Sequence, residues 1–227
     1  MPEAMQFDQF AGDYQRILDR TVAMSGENSA YFAEYKARYL KSLLSPSFSG
    51  KALEFGCGVG LLSGFVKKLL PRVQIDGFDL STESIRKVDS ALTNQGVFTS
   101  VSDELAHDYR LILVANVMHH VPVEQRSDVV QNLAERMSPG SILAIFEHNP
   151  ANPITRWVVK HCPFDDDAVL LFPRETRTYL MDAKLGLVRH DFIVFMPRLL
   201  AGLRPLEPLL RKVPLGAQYV MVAEKHA

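Results

Sequence analysis

From Phe7 to about Leu44, aromatic and aliphatic residues return at helical spacing: Phe7, Phe10, Tyr14, Ile17 and Leu18, then Tyr31, Phe32, Tyr35, Tyr39 and Leu43. Two helices are predicted, parted by Ser25-Gly26-Glu27-Asn28-Ser29, and a second break from Ser45 to Gly50 delivers the chain to a first strand. Short apolar runs then alternate with helical patterns. Strands are predicted at Lys51–Phe55, Val73–Phe78, Val97–Val101, Leu111–Ala115 and Ser141–Phe146, and helices at Leu61–Leu70, Thr82–Leu92 and Val123–Met137, with Ser138-Pro139-Gly140 stopping the last helix. This βαβ rhythm calls for parallel strands joined by crossover helices. Past residue 147 the pattern changes to a Pro-containing stretch, a helix around Arg174–Ala183 and two strand-like runs, Arg189–Phe195 and Gln218–Ala223, that would complete the sheet. No repeat or long linker divides the chain, so a single domain is expected: an N-terminal helical cap (1–49), a core (50–147) and an insert with the final strands (148–227).

Composition narrows the function classes. The chain is 47% apolar and 22% charged, which is ordinary for a globular protein, and 25 basic against 26 acidic residues leave a net charge of -1. That balance argues against a bulk electrostatic footprint for nucleic acid, so no nucleic-acid partner is expected and a small molecule is favoured. Cys57 and Cys162 have neither zinc-site spacing nor the density of a disulfide scaffold, which suits a reducing, cytoplasmic setting. The start of the chain lacks a basic segment followed by an apolar one, and no run of about 18 residues is free of charge; neither secretion nor a membrane span is expected.

The strongest local signal is Leu53-Glu54-Phe55-Gly56-Cys57-Gly58-Val59-Gly60, an acid near a strand end followed by three alternate glycines entering a helix. Glycines let the backbone turn sharply and approach a ligand, and a helix start offers unpaired N–H groups, so a nucleotide-like ligand fits there. A dinucleotide fingerprint needs a further glycine three residues after Gly58, where Leu61 stands, which leaves an NAD-dependent oxidoreductase as an alternative requiring a degenerate motif.

The acid-Xaa-Gly-Xaa-Gly-Xaa-Gly form resembles motif I of class I S-adenosylmethionine-dependent methyltransferases, and the resemblance covers about residues 50 to 150. It implies an α/β Rossmann-like three-layer sandwich whose seven-stranded sheet is mostly parallel with an antiparallel last strand, here preceded by two extra helices. It also implies that Glu54, Gly56, Cys57, Gly58 and Gly60 face the cofactor. Asp79, with Leu80 beside it, falls where that family sets an acid on the ribose hydroxyls; the alternative for Asp79 is a helix N-terminal residue, with Ser81 or Thr82 as cap. Ser102 or Asp103 would take the adenine side, and Asn116 and Val117, in Asn116-Val117-Met118-His119-His120-Val121, would run under the methionine part. The implied activity is transfer of the S-adenosylmethionine methyl group to an acceptor, leaving S-adenosylhomocysteine; the N-terminal tyrosines and the Phe192–Leu215 segment lean toward a small or lipid-linked acceptor. A catalytically silent S-adenosylmethionine-binding protein is the second alternative.

His119, His120 and His148 each follow a strand C-terminus, the edge where open α/β sheets bind ligands, and are the candidate general bases. Asn149 and Asn152 could hold an acceptor hydroxyl or simply build turns. His161-Cys162-Pro163-Phe164-Asp165-Asp166-Asp167 invites a metal reading, but the acidic run before Ala168–Leu171 suits a helix start better, and no metal is expected. Tyr14, Tyr31 and Tyr35 are expected to help shape the acceptor pocket. Phe192–Leu215, rich in Leu, Phe and Pro with Arg198, Arg204, Arg211 and Lys212 interspersed, could be a lid, a membrane-surface contact or core packing.

Overall fold

The computed structural model describes residues 14–226; Phe7, Phe10 and the Tyr14 side chain lie outside the described part. Two helices open it, α1 (Tyr14–Val22) and α2 (Ser29–Leu43). There follow β1 (Gly50–Phe55), α3 (Leu61–Leu69), β2 (Val73–Phe78), α4 (Thr82–Ile85), α5 (Ser90–Thr93), β3 (Phe98–Thr99), β4 (Tyr109–Ala115), α6 (Arg126–Glu135) and β5 (Met137–His148). The chain ends with α7 (Pro153–Lys160), α8 (Pro173–Asp182), β6 (Leu185–Ile193), α9 (Glu207–Leu210) and β7 (Gln218–Lys225).

The seven strands form one sheet in the order β3-β2-β1-β4-β5-β7-β6, with β1 to β5 parallel and β7 antiparallel to both of its neighbours. Central β4 is buried at Tyr109 and from Leu111 to Val114, the continuous apolar run required of a strand covered on both faces. Alternate residues divide between two cores: Ala52, Ile75, Leu111, Leu113, Ala144 and Phe146 pack with residues of α2 and α3, whereas Leu53, Ile112, Val114, Leu143 and Ile145 pack with residues of α6 and α8. The result is the expected three-layer sandwich with the expected antiparallel last strand.

Several local expectations fail for identifiable reasons. Thr82–Leu92 is not one helix: Asp89 takes an extended conformation and accepts the Ala91 N–H, so a second short helix starts where the first would have continued. The third strand shrinks to Phe98–Thr99 because Thr99 Oγ1 accepts the Val101 N–H at 3.0 Å, a local bond in place of a ladder bond. Helix α6 ends at Glu135, and Ser138-Pro139-Gly140 lies inside β5, in an irregular stretch where the register against Tyr109 and Leu111 shifts. The acidic run 165–167 forms turns rather than a helix start; the helix of this region is the earlier α7, capped by Asn152.

The N-terminal helices are fastened to the sheet by polar contacts. Asp19 accepts both the N–H and the hydroxyl of Ser29 (2.7 and 2.6 Å), which sets α1 against α2. From α2, Tyr39 donates its hydroxyl to the buried Asp191 of β6 at 2.8 Å, and Lys212 donates to the other oxygen at 2.9 Å. Burial pushes the Asp191 carboxyl up, but the bonds from Lys212 and Tyr39 outweigh it and hold the group below its ordinary value. Its stabilisation is therefore complete above the ordinary carboxylate pKa and lost as pH falls through the lower folded value. Asp191→Ala should lower the unfolding free energy by ~1–3 kcal/mol, since it strands the buried Tyr39 hydroxyl, and should flatten the acid limb of stability measured by urea unfolding against pH.

Candidate active site

The glycine loop forms at the C-terminal end of β1. Gly56 and Cys57 both donate their N–H to Phe78 O (2.7 and 2.9 Å), which pins the loop to the end of β2. Gly56 has φ +74°, and a Cβ built on it would lie 2.3 Å from Val117 Cγ2, so the segment after β4 crosses against bare backbone. Gly58 and Gly60 also have positive φ, and Gly60 is the N-cap residue of α3. Asp79 accepts the Gly58 N–H at 2.7 Å through one oxygen and the Ser81 N–H at 2.9 Å through the other, while Ser81 caps α4. The acid thus stands against the glycine loop and, as the alternative required, just ahead of a helix capped by Ser81. Leu80 and Val101, half-exposed, extend from the paired ends of β2 and β3. Ser102 and Asp103 lie exposed in a short turn of 3-10 helix beyond β3.

Glu54 is buried and receives the Ser63 hydroxyl at 2.5 Å; burial pushes its carboxyl up to about 8. Lys36, buried on α2, lies within electrostatic range of it. Burial pulls this ammonium down to about 8 against the attraction of Glu147 and Glu54, and the lysine makes no hydrogen bond with any described residue. Cys57 is buried, and burial pushes its thiol well up, which makes it an inert packing residue beside Gly77.

At the end of β4 the backbone of Asn116 is left-handed (φ 59°), an uncommon state for a residue other than glycine, and it turns the chain across the sheet edge. Glu147, fully buried on β5, secures this crossing. One oxygen accepts the N–H groups of Val117 and Met118 (3.0 and 2.8 Å), and the other meets His119 Nδ1 at 2.6 Å. The second ring nitrogen of His119 faces Asp165 Oδ1 at 3.4 Å, and His120 Nε2 faces the same oxygen at 3.3 Å. Burial pulls His119 down, but Glu147 and Asp165 outweigh it and raise the imidazole to about 9. Asp165, pushed up by burial, is carried far below its ordinary value by His119 and His120. His148 lies 3.0 Å from the Asn116 amide nitrogen; burial and the neighbouring His119 hold it down near 4, as a neutral ring.

The structure therefore brings His119, His120 and His148 together at one strand edge. His119, fixed between two carboxylates, already carries a proton near neutral pH. Asn149 is a scaffold residue, its amide spent on Pro214 O and Gly216 O, and Asn152 caps α7. Sequence reasoning missed Lys36 and Glu147 and set Asp165 aside as part of a helix start. Glu147 carried a usable signal, an acid next to His148 at a strand end, but Lys36 looked like any polar helix position.

The acceptor-side segment meets one expectation in part. Phe192 and Ile193 are buried in the two cores, as core packing required, whereas no residue of the 3-10 stretch, Arg198–Leu206, is buried and Leu199 is 91% exposed. Its charges are engaged elsewhere: Arg204 pairs with Glu27 at 2.6 Å and covers the Tyr31 ring, and Glu207 receives the Tyr35 hydroxyl at 2.9 Å. Among the described residues no helix is long and apolar enough to cross a membrane.

Residues 53–143 match the family model described as "Methyltransferase domain". Curated relatives include the ribosomal RNA small subunit methyltransferase C of Vibrio parahaemolyticus, 28% identical over 128 residues (54% of this chain, 36% of the relative). The same enzyme of Vibrio vulnificus is 34% identical over 73 residues (30% and 22%). The chain thus spans about a third or less of these relatives' length. Their names overturn the expectation that nucleic acid plays no part: net charge averages over a whole surface and does not report where a single RNA contact sits. Among solved structures, magnesium protoporphyrin IX methyltransferase from Synechocystis with bound SAH superposes with TM-score 0.67 at 16% identity, covering 96% of each chain. A SAM-dependent methyltransferase from Archaeoglobus fulgidus gives 0.66 at 14%, covering 87% and 95%.

The clash at Gly56 makes a separable prediction. Gly56→Ala should cost ~1–2 kcal/mol for the left-handed backbone plus a steric penalty against Val117; Val117→Ala in that background should recover only the steric part, read by denaturant titration of both variants.

With the glycine loop, the acid after β2 and the seven-stranded order all in place around it, the segment 53–143 is similar to a methyltransferase domain, and the fold is the Rossmann-like one shared with the superposed structures.

Proposed function

We propose that this protein transfers the methyl group of S-adenosylmethionine to an acceptor presented at the C-terminal edge of β4 and β5. The observation that carries this reading is the turn formed by Gly56, Gly58 and Gly60, all with positive φ at the end of β1, held against Asp79, an acid whose two oxygens suit a ribose diol. When bound, the cofactor supplies the electrophilic carbon. In this reading Asp79 holds the ribose, Leu80 and Val101 flank the base, and Ser102 or Asp103 meets its polar edge. Glu54 and Lys36 set the charge beneath the glycine loop, while Asn116 and Val117 line the methionine side.

The chain's part in catalysis is then chiefly proximity and orientation, worth up to ~7–11 kcal/mol in favourable cases. His119 is poorly suited to take a proton, because two carboxylates keep it charged. His148, neutral beside Asn116, and the partly exposed His120 are the candidates where the acceptor must be deprotonated.

For the acceptor, RNA is the first reading, supported by the names of the relatives that align with over half of this chain. A small or lipid-linked acceptor is the second; the end-to-end superposition on an enzyme whose name gives a porphyrin favours it. Incubation with methyl-labelled S-adenosylmethionine and, in parallel arms, ribosomal RNA and small-molecule acceptors decides between them. Label in RNA supports the first and label in a small product the second; label in neither contradicts the methyl-transfer reading.

Asp79→Ala should weaken S-adenosylhomocysteine binding by ~1.5–3 kcal/mol, or roughly 10- to 100-fold, with the melting curve nearly unchanged. Unaltered affinity in calorimetry would remove Asp79 from the site.

A further inference from the structure

We infer that His119, His120 and Asp165 form a binding site for a divalent transition metal of the zinc type. One ligand atom from each of His119, His120 and Asp165 lies within 4.8 Å of the other two. The two nitrogen–oxygen separations are 3.4 and 3.3 Å. Charge-assisted hydrogen bonds between such groups draw in to about 2.7–2.9 Å. A tetrahedral ion with bonds of about 2.0 Å instead sets adjacent ligand atoms about 3.3 Å apart, as both nitrogens stand from Asp165 Oδ1.

The surroundings match what a metal-ligating histidine requires. His119 Nδ1 is bound to Glu147 at 2.6 Å, and Glu147 is itself held by two backbone N–H groups, so the ring is locked with Nε2 turned toward Asp165. A carboxylate behind a histidine is the usual second support of a metal ligand; it fixes the tautomer and raises the basicity of the opposite nitrogen. An Nε2 lone pair facing a carboxylate oxygen is repulsive unless a positive charge lies between them. Without metal a proton on His119 does this; an ion would displace that proton and serve both histidines at once.

The loop carrying Asp165 is fastened in place. Val169 donates its N–H to His119 O at 2.9 Å, and the buried Arg126 spans the two loops by donating to Val121 O and Val169 O (2.9 and 2.7 Å). Asp165 also donates its backbone N–H to Cys162 O at 3.0 Å. His119 is buried, whereas His120 and Asp165 are partly exposed, so three protein ligands leave a fourth position toward the sheet edge, the layout of catalytic rather than structural zinc. An ion there would bind an oxygen of the acceptor and lower its pKa. The site itself stands on ligand geometry, independently of methyl transfer, and metal binding and cofactor binding fail separately.

The test uses the full chain, stripped with chelator and dialysed, then titrated with Co²⁺ and, separately, with Zn²⁺. One metal per chain is expected, with intense visible Co²⁺ bands of low-symmetry four-coordination and X-ray absorption on the zinc form showing two imidazoles, oxygen and no sulfur. Asp165→Ala and His120→Ala should abolish stoichiometric binding, Glu147→Gln should weaken it about 10- to 100-fold, and His161→Ala should leave it unchanged. Absence of stoichiometric binding, binding that survives both ligand substitutions, or a sulfur-containing shell on the wild-type chain would overturn the assignment; the absorption spectrum decides even where a variant fails to fold.

Discussion

Glu147 is the group on which the functional edge of this sheet depends. It sits on β5, fully buried, and its two oxygens are divided between the backbone of the segment leaving β4 and the ring of His119. The first pair of bonds holds Val117 against Gly56, which is why that position bears no side chain. The second orients His119 toward Asp165, which brings in the loop after α7. A buried carboxylate is tolerable only with such partners. Burial pushes it up, and His119 with the backbone donors returns it below its ordinary value, so it stays ionised as an anchor.

This explains how cofactor loop and histidine cluster share one geometry. The glycine loop meets β2 through hydrogen bonds to Phe78 O and meets the β4 crossing through the Val117 side chain, so it is held from both sides. The N-terminal helices pack on the same side of the sheet, with Lys36 in the electrostatic field of Glu147 and Glu54, and the 198–210 stretch is tied to them through Glu27, Tyr31 and Tyr35.

Much of the framework could be read from the chain. The bounds of Val73–Phe78 are legible to the residue, because Val73, Ile75 and Phe78 alternate in a short run between turns, and the sequence places Asp79 beside the glycine loop, where the structure has it. What failed was where side chains replace backbone partners: Asp89 restarting a helix, Thr99 ending a strand, Asp165 leaving a supposed helix start to meet two histidines. Lys36 and Asp165 lie over 40 residues from the histidines they join in space or charge, and a single sequence carries no trace of such pairings. Periodicity reports which face is buried, not which buried polar groups have found one another. Net charge failed for a related reason, since it speaks for the whole surface and not for one acceptor.

The central claim is that the edge built by Gly56, Asp79 and the Glu147-anchored crossing takes S-adenosylmethionine. It is tested most directly by calorimetric titration of the ligand-stripped wild-type chain with S-adenosylmethionine, S-adenosylhomocysteine and NAD in parallel. The account predicts saturable one-to-one binding of the first two and none of NAD; binding of NAD alone, or of none of the three, would contradict it.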